Sequence, residues 1–189
     1  LIDNPMALID SIMPSPTLDD KIKALKDAER ICLNHGLTTV NDAGIDRNTI
    51  ELIDSLQQAG ELSIRVYAMV SNNKEDVDYY IYKGPIKTDR LNVRSVKVYG
   101  DGALGSRGAA LKEPYSDLPG HFGAMVTPVA EIENLANRLA LSEYQMNTHA
   151  IGDSANIAVL RAYKKVLDGQ VDRRWKIEHA QIVTEGDFD

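Results

Sequence analysis

The segment QMNTHAIGDSANIAVLRAYKKVLDGQVDRRWKIEHAQIV, residues 145–183, reads as strand, helix, strand. QMNTHA is short and extended in character. DSANIAVLRAYKKVLDG carries apolar residues at helical steps and ends on a glycine, and RWKIEHAQIV returns to strand character. A strand, a helix and a second strand in this order form a parallel pair with a right-handed crossover. Each strand also delivers a histidine near its C-terminal end, His149 in NTHAIGD and His179 in KIEHAQ. In a parallel sheet the two rings become neighbours. Two imidazoles at adjacent strand ends can share one metal ion, whereas a single such histidine is more often a hydrogen-bonded core residue.

The same alternation extends towards the N-terminus. TLDDKIKALKDAERICLNHG reads as a helix with Leu18, Ile22, Leu25, Ala28 and Cys32 on one face, Thr17 as N-cap and Gly36 as terminator. LTTVNDA is a strand, NTIELIDSLQQAG a helix, SIRVYAMV a strand, KEDVDYYIYKG a short helix, VRSVKVYG a strand and AEIENLANRLALSEY a helix. Five strands therefore begin near residues 38, 63, 94, 145 and 174. The fold class is α/β with a parallel sheet, and two architectures fit: a doubly wound open sheet or part of a (β/α)8 barrel.

Composition bounds the function. The chain has 189 residues, 43% hydrophobic and 26% charged, with a net charge of -7 and a pI near 5.1. No basic stripe is present, so a nucleic-acid partner held through phosphates is not expected. No apolar run reaches the length of a membrane span. LIDNPMALID shows no signal-peptide pattern, which leads to a cytoplasmic expectation. The single cysteine, Cys32, is expected to be a buried structural thiol. His35 reads as a helix cap and His121, in DLPGHFG, as a solvated loop residue.

One connection is long. The third and fourth strands start about 51 residues apart, against about 25 to 31 elsewhere, and long loops in compact domains are usually functional. The excess opens with GDGALGSRGAAL, residues 100–111. Gly100 and Gly105 have phosphate-loop spacing, but Ser106 stands where that motif needs lysine, and Asp101 places an anion inside the loop. A nucleotide- or phosphate-binding reading is therefore disfavoured. Just before the loop, strand alternation puts Val96 and Val98 on one face and Ser95, Lys97, Tyr99 and Asp101 on the other. Lys97 is either a strand-end lysine reaching solvent or Asp101, or a costly buried charge that is paired or modified.

VKVYGDGALGSRGAALKEPYSD, NTHAIGDSANIAVLRAY and RWKIEHAQIV resemble signature segments of the family-3 branch of metal-dependent amidohydrolases. That branch includes N-substituted formamide deformylases and proteins labelled exoenzyme regulators. LIDNPMALI and GLTTVNDAG are also similar to segments of that family. The resemblance implies a (β/α)8 TIM barrel with a metal site at its C-terminal mouth. Family members carry H-x-H on the first strand, an often carboxylated, metal-bridging lysine on the fourth, histidines on the fifth and sixth, and a proton-accepting aspartate on the eighth.

By this resemblance Lys97, His149 and His179 are metal ligands, and the five strands are barrel strands two to six. The H-x-H motif does not occur in the sequence. A whole barrel needs about 250 residues. Residues 1–189 are thus expected to form a single incomplete barrel domain, an internal segment of a longer enzyme and inactive alone. The implied activity is hydrolysis of C–N bonds in amides or cyclic amides, with a small-molecule amide as substrate. The implied cofactor is a divalent metal, zinc foremost, as one or two ions, with the segment itself expected to lose it. Asp101 and Arg107 are candidates for orienting the lysine or touching substrate, or else a structural pair. The alternative function is a non-catalytic binding or regulatory module on the same scaffold. Open sheet edges imply self-association.

Overall fold

The computed structural model describes Ile9 and residues 12–188. The LIDNPMALI resemblance falls, apart from Ile9, outside the described residues. The chain runs α1 (Leu18–Asn34), β1 (Thr39–Ile45), α2 (Arg47–Gln58), β2 (Arg65–Ser71), α3 (Lys74–Lys83), β3 (Ile86–Lys87), β4 (Leu91–Tyr99), α4 (Val129–Ala140), β5 (Gln145–Ala150), α5 (Asp153–Leu167) and β6 (Lys176–His179). A 3-10 turn follows at Glu185–Asp187. Strands β1, β2, β4, β5 and β6 lie side by side in that order and all neighbours are parallel. With the helices on one face, this is a partial (β/α)8 barrel, and the doubly wound alternative is set aside. No helix among the described residues is long and apolar enough to cross a membrane.

Local chemistry sets the boundaries. Thr17 and Asp20 form a reciprocal capping box on α1. Asp46 and Asn73 accept the N–H groups of Thr49 and Asp76 at the starts of α2 and α3. The core lies between the helices and the outer face of the sheet. Ile50, Ile53 and Leu56 of α2, Ile132, Leu135 and Leu139 of α4, and Val159 of α5 pack there against Val66, Ala68, Val93, Val96, Val98 and Met146. The buried inner face is mostly polar, with Ser95, Lys97, Gln145 and Asn147 beside Met69.

Three features depart from the sequence reading. Helix α1 has no buried residue. Ile22, Leu25 and Cys32 are half-buried against the core, but Leu18 is 62% exposed and Ala28 is exposed as well. The helix has the amphipathic face, but covers the sheet at its β1 edge, so Cys32 is not fully buried. The two-residue β3 pairs antiparallel with Asn92 and Val93 of β4. It fits there because β5 pairs with β4 only from Ser95 onward. Strand β6 stops at His179 rather than running on to Val183.

Strand β4 also contains a bulge. Ala68 pairs with Val93 but Met69 pairs with Ser95, leaving the exposed Arg94 as an extra residue. The outward positions are therefore Leu91 and Val93, then Val96 and Val98, and the step of three between Val93 and Val96 resets the alternation. As a result Ser95 and Lys97 face the barrel interior.

Candidate metal centre at the strand ends

Lys97, Tyr99, His149 and Glu178 occupy the inner face of the C-terminal ends of β4, β5 and β6. Tyr99 pairs with His149, and His149 with Glu178. Lys97 is only 3% exposed. Its Nζ lies 3.6 Å from the centre of the Tyr99 ring, and no carboxylate or carbonyl among the described residues bonds to it. Asp101 does not serve as its partner. Burial holds the Lys97 ammonium below its ordinary pKa of 10.5, opposed in part by the Glu178 charge.

Register alone would send His179 to the other face, since it pairs with the buried, outward Ala150. The backbone corrects this: φ is 78° at His179 and 44° at Ala180. Non-glycine residues rarely take the left-handed region, and doing so twice in succession re-aims the side chain. The His179 ring then meets His149 edge to face, with centroids 4.6 Å apart. Tyr99 flanks the other side of His149 at 5.9 Å.

His149 Nε2 lies 3.4 Å from the Gly102 carbonyl and 3.5 Å from Asp101 Oδ1. Burial pushes the His149 imidazole below its ordinary value. The Gly102 carbonyl opposes this, His179 adds to it, Asp101 opposes it and Lys97 adds to it. The dominant influence keeps His149 neutral, with a ring lone pair available.

The glycine-rich loop after β4 lines a cavity of about 720 Å³ together with Tyr99 and His149. Its floor includes Gly102, Ala103 and Gly108, which allow close approach to backbone. Lys97 and His179 are not among its lining residues. His121, read from sequence as a solvated loop residue, is exposed but lines this cavity, and its Nε2 lies 2.8 Å from the Arg107 carbonyl. Arg107 also lines it. Its guanidinium is on Asp117 at 2.8 and 3.2 Å, so Arg107 and Asp101 are not a pair. Asp101 is 1% exposed and accepts three backbone N–H bonds: from Ile151 at 2.9 Å, Gly152 at 2.8 Å and Ala110 at 2.9 Å.

The donor set suits a divalent cation in kind: two imidazoles and an amine whose charged form burial disfavours. All three offer a lone pair when neutral. Among the described residues, no three His, Cys, Asp or Glu side chains converge on one point. Beside the two rings lie the Lys97 amine, on the same inner face, and the Asp101 carboxylate, already bonded to three backbone N–H groups. Sequence reasoning overlooked Tyr99 as the wall of the site and Asn156 beneath it. Asn156 left a signal, being a polar residue in step with Val159 and Tyr163 on the buried face of α5.

Comparison with known proteins supports a common ancestry for the chain. The chain is 31% identical to the protein LONG AFTER FAR-RED 3 of Arabidopsis thaliana over 98% of its own length and 34% of that protein's. It is 27% identical to YtcJ of Bacillus subtilis (strain 168) over 97% of its length and 35% of that protein's. The chain thus spans about a third of the length of the curated relatives it matches. Crystal structures of an uncharacterized metal-dependent hydrolase from Pyrococcus horikoshii OT3 and one from Pyrococcus furiosus superpose with TM-scores of 0.82 and 0.81. Each is 27% identical and is matched over 96% of this chain, and over 36% and 37% of theirs. The family model described as "Amidohydrolase family" matches residues 1–189, and the chain belongs to that family.

Proposed function

We propose that this chain contributes Lys97, His149 and His179 to the divalent-cation site of a hydrolase that cleaves C–N bonds in amides or cyclic amides. Zinc is the cation these donors suit best. The observation that supports the reading is a buried, acceptor-free lysine and two histidines in edge-to-face contact at three adjacent parallel strand ends, beside a cavity. In a (β/α)8 barrel that end of the sheet is where chemistry is done.

A divalent cation bound there would polarise a carbonyl oxygen and make water more acidic. The chain's own groups prepare the site. His149 is kept neutral, so it offers a lone pair rather than a competing positive charge. Lys97 is held inside without a bonded carboxylate, with only the Glu178 charge opposing its burial, which favours either a neutral amine or the carboxylated, anionic form with two ligating oxygens. Tyr99 covers the Lys97 amine and limits water access to it. The loop floor of Gly102, Ala103 and Gly108 leaves room for a small amide against the backbone beside His149.

The test is zinc retained per molecule of the longer enzyme to which this chain is expected to belong, read by mass spectrometry after equilibration and dialysis. It compares the wild type with the triple variant Lys97→Ala, His149→Ala, His179→Ala. Loss of zinc in the triple variant supports the assignment, and equal retention refutes it. A non-catalytic binding module on the same scaffold is the second reading. It is favoured by the absence of a third carboxylate or imidazole donor among the described residues. Zinc-dependent turnover of an amide that is lost in the triple variant would exclude it.

A further inference from the structure

The turn Ala150–Gly152, directly after His149, is gripped from both sides. Asp101 accepts its N–H groups, those of Ile151 and Gly152. On the other side stands Asn156, 1% exposed, in the first turns of α5. Its Nδ2 donates to the carbonyls of Gly152 at 2.9 Å and Ile182 at 3.0 Å, with those of Ala150 and Ile151 farther at 3.3 Å. An amide nitrogen has two protons, so the two short contacts take them. Its Oδ1 is buried without a partner. An unmade bond of that kind is costly, and a residue kept for packing alone would avoid it.

The two side chains join three segments. Asp101 follows the strand of Lys97 and also holds Ala110 of the long loop. The gripped turn follows His149. Ile182 lies three residues beyond His179. Backbone bonds run between the same segments: Gly100 N–H to His149 O at 2.7 Å, Ala180 N–H to Ala150 O at 3.1 Å and Ile182 N–H to Ile151 O at 2.9 Å. The left-handed backbone at His179 and Ala180 needs such support, because strained conformations persist only where their surroundings over-determine them.

We propose that Asp101 and Asn156 are positioning residues that fix the mutual placement of Lys97, His149 and His179, acting through the backbone groups they hold. The functional consequence rests on the metal-donor reading above; the geometry does not, and can be tested without metal. The probe is the nuclear Overhauser contact between the ring protons of His149 and His179 in the metal-free chain, with amide exchange at Ile151, Gly152 and Ile182. Asn156→Asp keeps the size but turns a carboxylate oxygen towards the carbonyls. Asn156→Ala removes the donor without adding charge. Ile53→Ala, 3% exposed on α2 and remote from all three segments, is a control for general destabilisation.

Both Asn156 variants are expected to lose the inter-ring contact and to speed exchange at Ile182 at least tenfold, while Ile53→Ala keeps the contact. Zinc affinity is expected to fall about 10- to 100-fold in Asn156→Ala. The proposal is overturned if Asn156→Ala keeps the contact and the slow exchange, or if Ile53→Ala loses them equally. If the longer wild-type enzyme binds no zinc while the ring contact still responds to Asn156, the metal reading fails and the positioning role stands.

Discussion

Replacing Gly152 by alanine tests whether the turn after His149 is as tightly held as described. The backbone at Gly152 has φ -76°, which alanine adopts freely, so any effect is steric. A Cβ there would stand 2.0 Å from the Ala110 carbonyl oxygen and 2.5 Å from its carbon. These are backbone atoms of the long loop and cannot rotate aside. Relief requires the loop and the turn to separate by an ångström or so. That motion breaks the Gly152–Asp101 bond of 2.8 Å and the Ser154 N–H to Ala110 O bond of 3.1 Å. A bond to a charged acceptor contributes about 1.5–3 kcal/mol and a neutral one about 1 kcal/mol, and overpacking adds about 1 kcal/mol more. The expected loss is about 3–5 kcal/mol, a large part of the roughly 5–15 kcal/mol that holds a domain together. Gly105→Ala in the same loop meets no atom within 4 Å and should stay within about 0.5 kcal/mol of wild type. Urea unfolding followed by circular dichroism measures both. A Gly152→Ala loss within about 1 kcal/mol of the Gly105→Ala value would refute the account of the turn.

Lys97→Met should stabilise the metal-free chain at neutral pH by removing a buried ammonium. The folded pKa of Lys97 lies below 10.5, so between the two values the unfolded state binds more protons and wild-type stability rises with pH. The advantage of Lys97→Met should therefore shrink as pH climbs towards 10.5, and an advantage that is constant or grows would contradict the burial. Arg107→Ala should cost less than about 1 kcal/mol, because its ion pair with Asp117 is well exposed, and thermal melts check this. Among the described residues β1 and β6 each have one unpaired edge. We propose that these edges drive self-association, so light scattering should report species larger than a monomer, and a monodisperse monomer would count against it.

Much of the architecture is legible in the sequence because helix and strand periods, capping residues and terminating glycines agree along the chain. Thr17, Gly36 and Gly60 all mark real helix ends. The inward face of Lys97 follows from alternation within VKVY, and the adjacency of His149 and His179 follows from a parallel crossover. The remainder depends on long-range contacts. Alternation carried through β6 would have turned His179 outward, and only the left-handed backbone beyond Glu178 turns it back. Asp101 resembles a partner for Lys97 or Arg107 in sequence, yet it is spent on three backbone N–H groups, two of them about fifty residues away. Short β3 has no periodic signal at all, since it exists only where β4 outruns β5.

The extra residue in β4 has an evolutionary consequence. Because the ladder skips Arg94, the segment behaves like a message in which one letter is passed over and the reading frame on either side is kept. Exchanging Arg94 for another exposed residue leaves the frame intact. Deleting it would remove the bulge and keep the frame as well, with Val93, Val96 and Val98 outward and Ser95 and Lys97 inward, whereas forcing it into the ladder opposite Met69 would invert the hydrophobic and polar faces of the barrel wall from there on. Lineages of this chain should therefore vary freely at residue 94, its loss included, while keeping Ser95, Val96, Lys97 and Val98 in unbroken succession.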